Sequence, residues 1–248
     1  MHGCPMRLLL VLLLSVSLPA LAQGDARVAF LTRQLEKGKD PRARSQAALV
    51  LGATDEPEAV TPLCTALQDT SEVVRTAAAK GLATLKELAA LDCLKAHKET
   101  DAATQAAIRE AIQGLEAFKS RTPRLYVAFL GLKDKTGSLP AELVKATEER
   151  LKRRLVHTGA LLAPQKEAKK AAQGVLKKHG ISGYRLSAEI QSTEGGGLRI
   201  AVVCLSYPDL ALLGQAEVQA SGAPPADLLK ALAPKVIEEV AETLEWST

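Results

Sequence analysis

The chain has 248 residues, of which 47% are hydrophobic and 3% aromatic, with 32 lysines and arginines against 28 acidic residues. The formal net charge of +4 identifies no partner, and so few aromatic side chains leave little on which nucleic-acid bases could stack. We therefore expect no nucleic-acid binding, and the length favours more than one domain.

The N-terminus has the order of a secretory signal peptide. Arg7 is followed by the apolar run LLLVLLLSVSL and then by Ala-Leu-Ala at residues 20–22. The run is shorter than the roughly 20 residues of a membrane-spanning helix, so we predict cleavage after Ala22. The next residue is Gln23, whereas a lipoprotein would have cysteine there. We expect a periplasmic or secreted protein with no lipid anchor and no transmembrane span in the mature chain.

Residues 23–122 repeat a unit of about thirty residues. Four positions of the first copy recur thirty-one places later, where Arg44, Ala47, Ala48 and Leu51 become Arg75, Ala78, Ala79 and Leu82. A third copy has Gln105 at the arginine position. Each unit has the pattern of two helices joined by a short turn, and its alanines allow stacked helices to approach closely. The pattern predicts a short α-solenoid.

The stretch ATDEPEAVTPLCTALQDTSEVVRTAAAKGL resembles the short HEAT-like repeats of the PBS-lyase type, and the resemblance extends over about residues 25–118. Such repeats serve mostly as binding scaffolds and sometimes as pigment lyases. Asp69 and Arg75 match the family's turn acid and helix arginine, which implies a charge ladder along the stack. The alternative is that Arg44 and Arg75 bind a ligand.

Three cysteines follow the predicted signal peptide: Cys64, Cys93 and Cys204. Cys64 and Cys93 occupy corresponding places in successive second helices, so stacking could bring them within reach of a disulfide. Two buried free thiols are the alternative. Cys204 lies in a strand pattern and is expected to be a small core residue.

The sequence shows no pattern of residues typical of a catalytic or metal site. His97, His157 and His179 have neither the spacing nor the neighbours of zinc ligands. The chain also lacks a G-x-S-x-G motif, a phosphate-binding loop and a dinucleotide fingerprint. We expect no catalytic residue, no metal and no cofactor.

From Leu125 onward the patterns predict a strand, a helix, a short strand, a helix, three strands and a final helix. Alternating apolar residues in YRLSAEIQ and LLGQAEVQA indicate a sheet with one face exposed to solvent. The expected domain, residues 123–248, is a two-layer α/β sandwich with a mixed sheet. Its apolar face is predicted to be covered by the helix at 165–179. The last helix also has apolar positions that suit a sheet-facing helix, with a kink or break near Ala233 because of Pro234.

This order of elements resembles the envelope domain shared by the N-terminal part of TolB, the curli secretion channels and the outer-membrane activators of peptidoglycan synthases. The phrases YVAFLGLKDKTG and LSYPDLALLGQAEV carry the resemblance, over about residues 124–246. It implies an interaction module of the cell envelope without catalytic activity.

Three functions remain open from the sequence. The first is an exported, non-catalytic adaptor or scaffold that binds protein partners of the envelope. The second is a binder of an anionic envelope polymer through the basic segment 145–185, in which an outward helix face is expected to carry Lys166, Lys169, Lys170 and Lys177. The third is an enzyme of the HEAT-like lyase type, for which no acid–base set is recognisable.

Overall fold

The computed structural model describes residues 23–246, so the predicted signal peptide and the cleavage after Ala22 lie outside the described residues. Two separate hydrophobic cores form along this range. The first contains buried residues from Val28 to Leu115, and the second contains buried residues from Leu125 to Trp246. No helix in residues 23–246 has the length and hydropathy that crossing a membrane would require.

The first core is built from stacked helix pairs. Its helices are α1 Gln23–Lys37, α2 Pro41–Gly52, α3 Val60–Ala66, α4 Glu72–Leu85, α5 Ala90–Ala96 and α6 Ala102–Ser120. Aspartates cap two of the helices that come first in their pairs, α2 and α6. Asp40 accepts a hydrogen bond from the backbone amide of Arg42, and Asp101 accepts one from the backbone amide of Thr104. Helices α2, α4 and α6 pack side by side, as the repeat predicts.

Small residues are required where α2 crosses α4. A Cβ atom added at Gly52 would lie 2.4 Å from the Cα atom of Gly81, and one added at Gly81 would lie 2.8 Å from the carbonyl oxygen of Ala48. Ala48, Ala78 and Ala79 in the same layer are fully buried. The recurring alanines and glycines therefore set the distance between successive repeats.

Replacing Gly52 with alanine is expected to lower the free energy of unfolding by about 1–3 kcal/mol, because backbone atoms of α4 would have to move. Gly114 in α6 is the matched control, since a Cβ atom there meets nothing within 4 Å. Gly114→Ala should instead raise stability by about 0.5–1 kcal/mol. Urea unfolding measures both effects, and equal effects of the two substitutions would contradict the close approach.

The second core lies under a mixed five-stranded sheet. The elements are β1 Leu125–Asp134, α7 Ala141–His157, β2 Ala160–Leu162, α8 Lys169–His179, β3 Ser182–Ser192, β4 Leu198–Ser206, β5 Leu212–Ala220 and α9 Pro225–Thr243. The strand order is β2-β1-β3-β4-β5, with β1 parallel to both neighbours and the remaining pairs antiparallel. With its flanking helices this is the predicted α/β sandwich.

Of the two helices expected to face the sheet, the last one does so and the one at 165–179 does not. The apolar face of the sheet packs against α7 and α9, whereas α8 is outside the second core. Helix α8 begins only at Lys169 and has a single buried residue, Ala172, so it offers too little apolar surface. Helix α9 has seven buried residues and continues through Pro234, so the predicted break does not occur.

Candidate functional site

The arginines that recur in the repeats form a charge ladder between neighbouring units. Arg44 donates two hydrogen bonds of 2.8 Å to the Asp69 carboxylate. Arg75 does the same to Glu99, at 2.6 and 3.1 Å. Each guanidinium also donates to the carbonyl oxygen six residues earlier, in Gly38 and Asp69. Both guanidinium groups are therefore occupied within the repeats, which leaves no support for ligand binding by Arg44 or Arg75.

The third repeat keeps part of this arrangement without its charge. The Gln105 amide donates a 2.7 Å hydrogen bond to the carbonyl oxygen of Glu99, which again lies six residues earlier. In the described chain α6 is followed by β1, so no further repeat supplies a turn carboxylate for an arginine at this position. Gln105 thus gives the carbonyl oxygen of Glu99 a hydrogen-bond donor, and the series of arginine–carboxylate pairs ends here.

Glu99 should make the repeats sensitive to acid. The Arg75 guanidinium holds the pKa of this carboxyl far below its usual range, and the amides of Asp101 and Thr100 lower it further. A depressed pKa in the folded state adds stability above about pH 4.5, and this stability is lost as the pH falls towards the folded-state pKa. Glu99→Gln should therefore reduce the loss of unfolding free energy between pH 7 and pH 3.

Urea unfolding at the two pH values measures this change. The control is Glu110→Gln, which removes an exposed carboxylate from α6. A pH dependence that is the same in wild type and Glu99→Gln would show that Glu99 does not carry it.

The cysteines of the repeats are joined. A disulfide connects Cys64 in α3 with Cys93 in α5, with a Cα–Cα distance of 5.8 Å. The bond therefore links the second helices of successive repeats.

The third cysteine, Cys204, is buried in β4, where burial raises the pKa of its thiol to about 11.

A cluster of charges joins the repeats to the sandwich. Glu56, in the turn after α2, is 7% exposed. Its carboxylate accepts hydrogen bonds from Arg150 of α7 at 2.9 and 3.0 Å and forms an ion pair with Lys230 of α9 at 2.6 Å. Next to it, Arg153 donates to the carbonyl oxygen of Asp55 at 3.2 Å. Glu56 could not be recognised from the sequence, because its partners are far away along the chain.

Basic residues of segment 145–185 are found in two settings, some bound to the repeats and others exposed to solvent. Arg150 and Arg153 on α7 bind residues of the repeats, whereas the four predicted lysines are exposed. Lys169 pairs with Asp209 at 2.7 Å, and Lys166 lies before the start of α8. The expected basic helix face is therefore smaller than the segment suggests.

Glu167 fixes the chain just before α8. Its carboxylate accepts hydrogen bonds from the hydroxyl groups of Tyr126, at 2.8 Å, and Tyr207, at 3.1 Å. Burial and this carboxylate raise the pKa of both tyrosines. Two neutral donors on one carboxylate are well suited to hold a loop against the sheet.

Two concave surfaces are candidates for binding. The first is an apolar groove of about 360 Å³ across α2, α4 and the start of α6. Leu49 and Val73 lie in it with 43% and 53% of their surfaces exposed. Charged residues surround it: Glu72, Lys80 and Asp101.

The second surface is a cleft of about 740 Å³ between the repeats and the sandwich. The repeats contribute the ends of α2 and α4 with the turns that follow, and the sandwich contributes parts of α7 and α9. The single tryptophan of the chain, Trp246, also lines the cleft. Among residues 26–246, no group of three or more histidine, cysteine or acidic side chains could hold a metal ion.

Comparison with known proteins identifies the first region. The family described as HEAT repeats matches residues 28–116. Residues 28–116 are HEAT repeats. We call this part the HEAT region; the match confirms the repeats predicted from the sequence, and HEAT repeats suggest protein binding. No curated protein matches the chain.

Solved structures resemble about half of the chain at low identity. A PelC dodecamer from Paraburkholderia phytofirmans is 10% identical, with a TM-score of 0.30, and the match covers 48% of this chain and 89% of that one. The hypothetical protein CT253 from Chlamydia trachomatis is 19% identical, with a TM-score of 0.35, and the match covers 50% of this chain and 100% of that one.

Proposed function

We propose that the protein is an exported, non-catalytic adaptor or scaffold of the cell envelope whose HEAT region binds a segment of a protein partner. The groove across α2, α4 and α6 carries this proposal. Leu49 and Val73 expose apolar surface there, and burying such surface against a partner releases free energy. A groove lined by an apolar floor and a charged rim is typical of a protein interface.

The charges of the groove indicate the kind of segment that binds. Glu72, Asp101 and Lys80 all line the groove without an ion pair among the described residues, so one negative charge is left over, while Asp101 also caps α6. A partner segment with an apolar side chain next to a lysine or arginine would fill the floor and face these carboxylates. The groove is small, so a few anchor residues would supply most of the affinity.

The groove also has a rigid frame. The Arg44–Asp69 and Arg75–Glu99 pairs fix the first helices of successive repeats relative to one another. The disulfide between Cys64 and Cys93 does the same for the second helices. A preformed groove lowers the entropic cost of binding a partner.

Crosslinked capture from the native envelope tests the proposal with a matched pair of variants. Val73→Lys places an ammonium group among the apolar side chains of the groove, where it would also repel the lysine or arginine of the partner segment. Leu130→Lys makes the same kind of change at an exposed leucine of β1, outside the groove. We expect Val73→Lys to lose the crosslinked partner and Leu130→Lys to keep it. Equal capture by both variants would contradict the groove as the binding site.

Binding of an anionic polymer is the competing outcome. Replacing Lys166, Lys169, Lys170 and Lys177 with glutamine would then remove most of the affinity and most of its salt dependence, because fewer counterions would be released. Under the adaptor proposal, capture of the protein partner survives this replacement at moderate salt.

A further inference from the structure

The cleft between the HEAT region and the sandwich has the properties of a small-molecule site. Its volume of about 740 Å³ lies within the roughly 300–1,000 Å³ of ligand pockets, which often form where domains meet. Apolar residues from both sides contribute to its walls: Ala53, Pro234 and Ala241 expose part of their surface, whereas Leu85, Leu125 and Trp246 are at most 8% exposed.

The polar groups of the cleft carry a small excess of positive charge. Lys86 and Arg124 make no ion pair among the described residues, whereas Arg154 is bound to Glu238 at 2.5 Å. Asp55 is the remaining acidic residue of the lining, so one positive charge is left over.

His157 also lines the cleft. Burial lowers the pKa of its imidazole, Asp55 raises it, and the cations Lys86, Arg154 and Arg121 lower it, with a net shift below the usual value. The imidazole is therefore neutral at pH 7 and adds no charge of its own to the cleft.

We propose that this cleft binds an organic monocarboxylate. The carboxylate faces Lys86 and Arg124, and the apolar body lies along Pro234 and Ala241, beside Trp246. One carboxylate matches the single excess positive charge of the lining. A polyanion would have to give up its hydration against apolar walls without enough cations to compensate it. This site is separate from the groove, so either proposal can fail without the other.

Fluorescence of Trp246 gives a specific test, because it is the chain's only tryptophan. Sodium hexanoate is the probe, and hexanamide is its uncharged control with the same carbon chain. We expect hexanoate to give a saturable change in the millimolar range, as a ligand of so few atoms should. Hexanamide should bind at least about tenfold more weakly than hexanoate. Equal responses to the two probes, or no saturable response to hexanoate up to about 50 mM, would overturn the proposal.

A pair of double variants locates the carboxylate. Lys86→Gln/Arg124→Gln should weaken hexanoate binding about tenfold or more, because charge-assisted hydrogen bonds are lost. Lys166→Gln/Lys178→Gln removes the same charge from exposed positions outside the cleft and should leave binding unchanged. Both variants retain the thermal transition of the wild type, since all four side chains are exposed. If the two variants bind hexanoate equally well, the proposal is wrong.

Discussion

Replacing Glu56 with alanine is expected to lower the free energy of unfolding by about 3–5 kcal/mol, the usual effect of breaking a buried ion pair. The Glu56 carboxylate lies between Arg150 and Lys230, whose side chains are only 13% and 24% exposed. Without it, two cations from α7 and α9 would face each other at the surface of the HEAT region with no compensating charge. The result should be a weaker attachment of the sandwich to the repeats.

Urea unfolding followed by circular dichroism and by Trp246 fluorescence measures this effect. Glu58→Ala is the matched control, because it removes an exposed carboxylate two residues away, and it should change stability by less than about 0.5 kcal/mol. A loss of stability that is the same for both variants would show that the Glu56 cluster does not hold the two parts together.

Replacing both Cys64 and Cys93 with alanine is expected to lower the free energy of unfolding by about 3–4 kcal/mol. The disulfide closes a loop with a sequence separation of 29 residues, and opening it gives the unfolded chain more conformational freedom. The loss should also widen the separation between the second helices of the repeats, with little effect on the second core.

Reductant provides the control for this prediction. It should destabilise the wild type by about the same 3–4 kcal/mol and leave the double variant unchanged, since only the wild type has the bond. A wild type that is insensitive to reductant under denaturing conditions would contradict a stabilising disulfide.

The repeats could be predicted from the sequence because a solenoid is held by contacts between neighbours. Residues thirty-one places apart meet the same environment, and the recurring Ala48 and Ala79 reflect this directly. The ladder was predicted less completely. The resemblance indicated Asp69 and Arg75, but each arginine binds the acid of the next repeat, and Glu99 was not recognised as the second acid.

The candidate binding surfaces could not be predicted. The groove combines side chains of α2, α4 and α6, and the cleft combines residues from the repeats with residues from both ends of the sandwich. Lys86 and Arg124 give no local signal, since an isolated basic residue is usually only a solvated side chain. Their importance comes from the cavity that they share.

The sequence by itself determined the helix pairs and the alternating strands of this protein, because these depend on periodic apolar residues and on small residues at fixed spacing. The sheet-facing role of the last helix was expected from its apolar positions. Only the tertiary structure decided that α7, and not α8, accompanies α9 on the sheet, and how the two parts are joined. Helix α8 buries a single residue, whereas α9 buries seven, so α8 offers too little apolar surface. Glu56 meets Arg150, 94 residues away, because burying a charge requires a partner wherever the fold brings one.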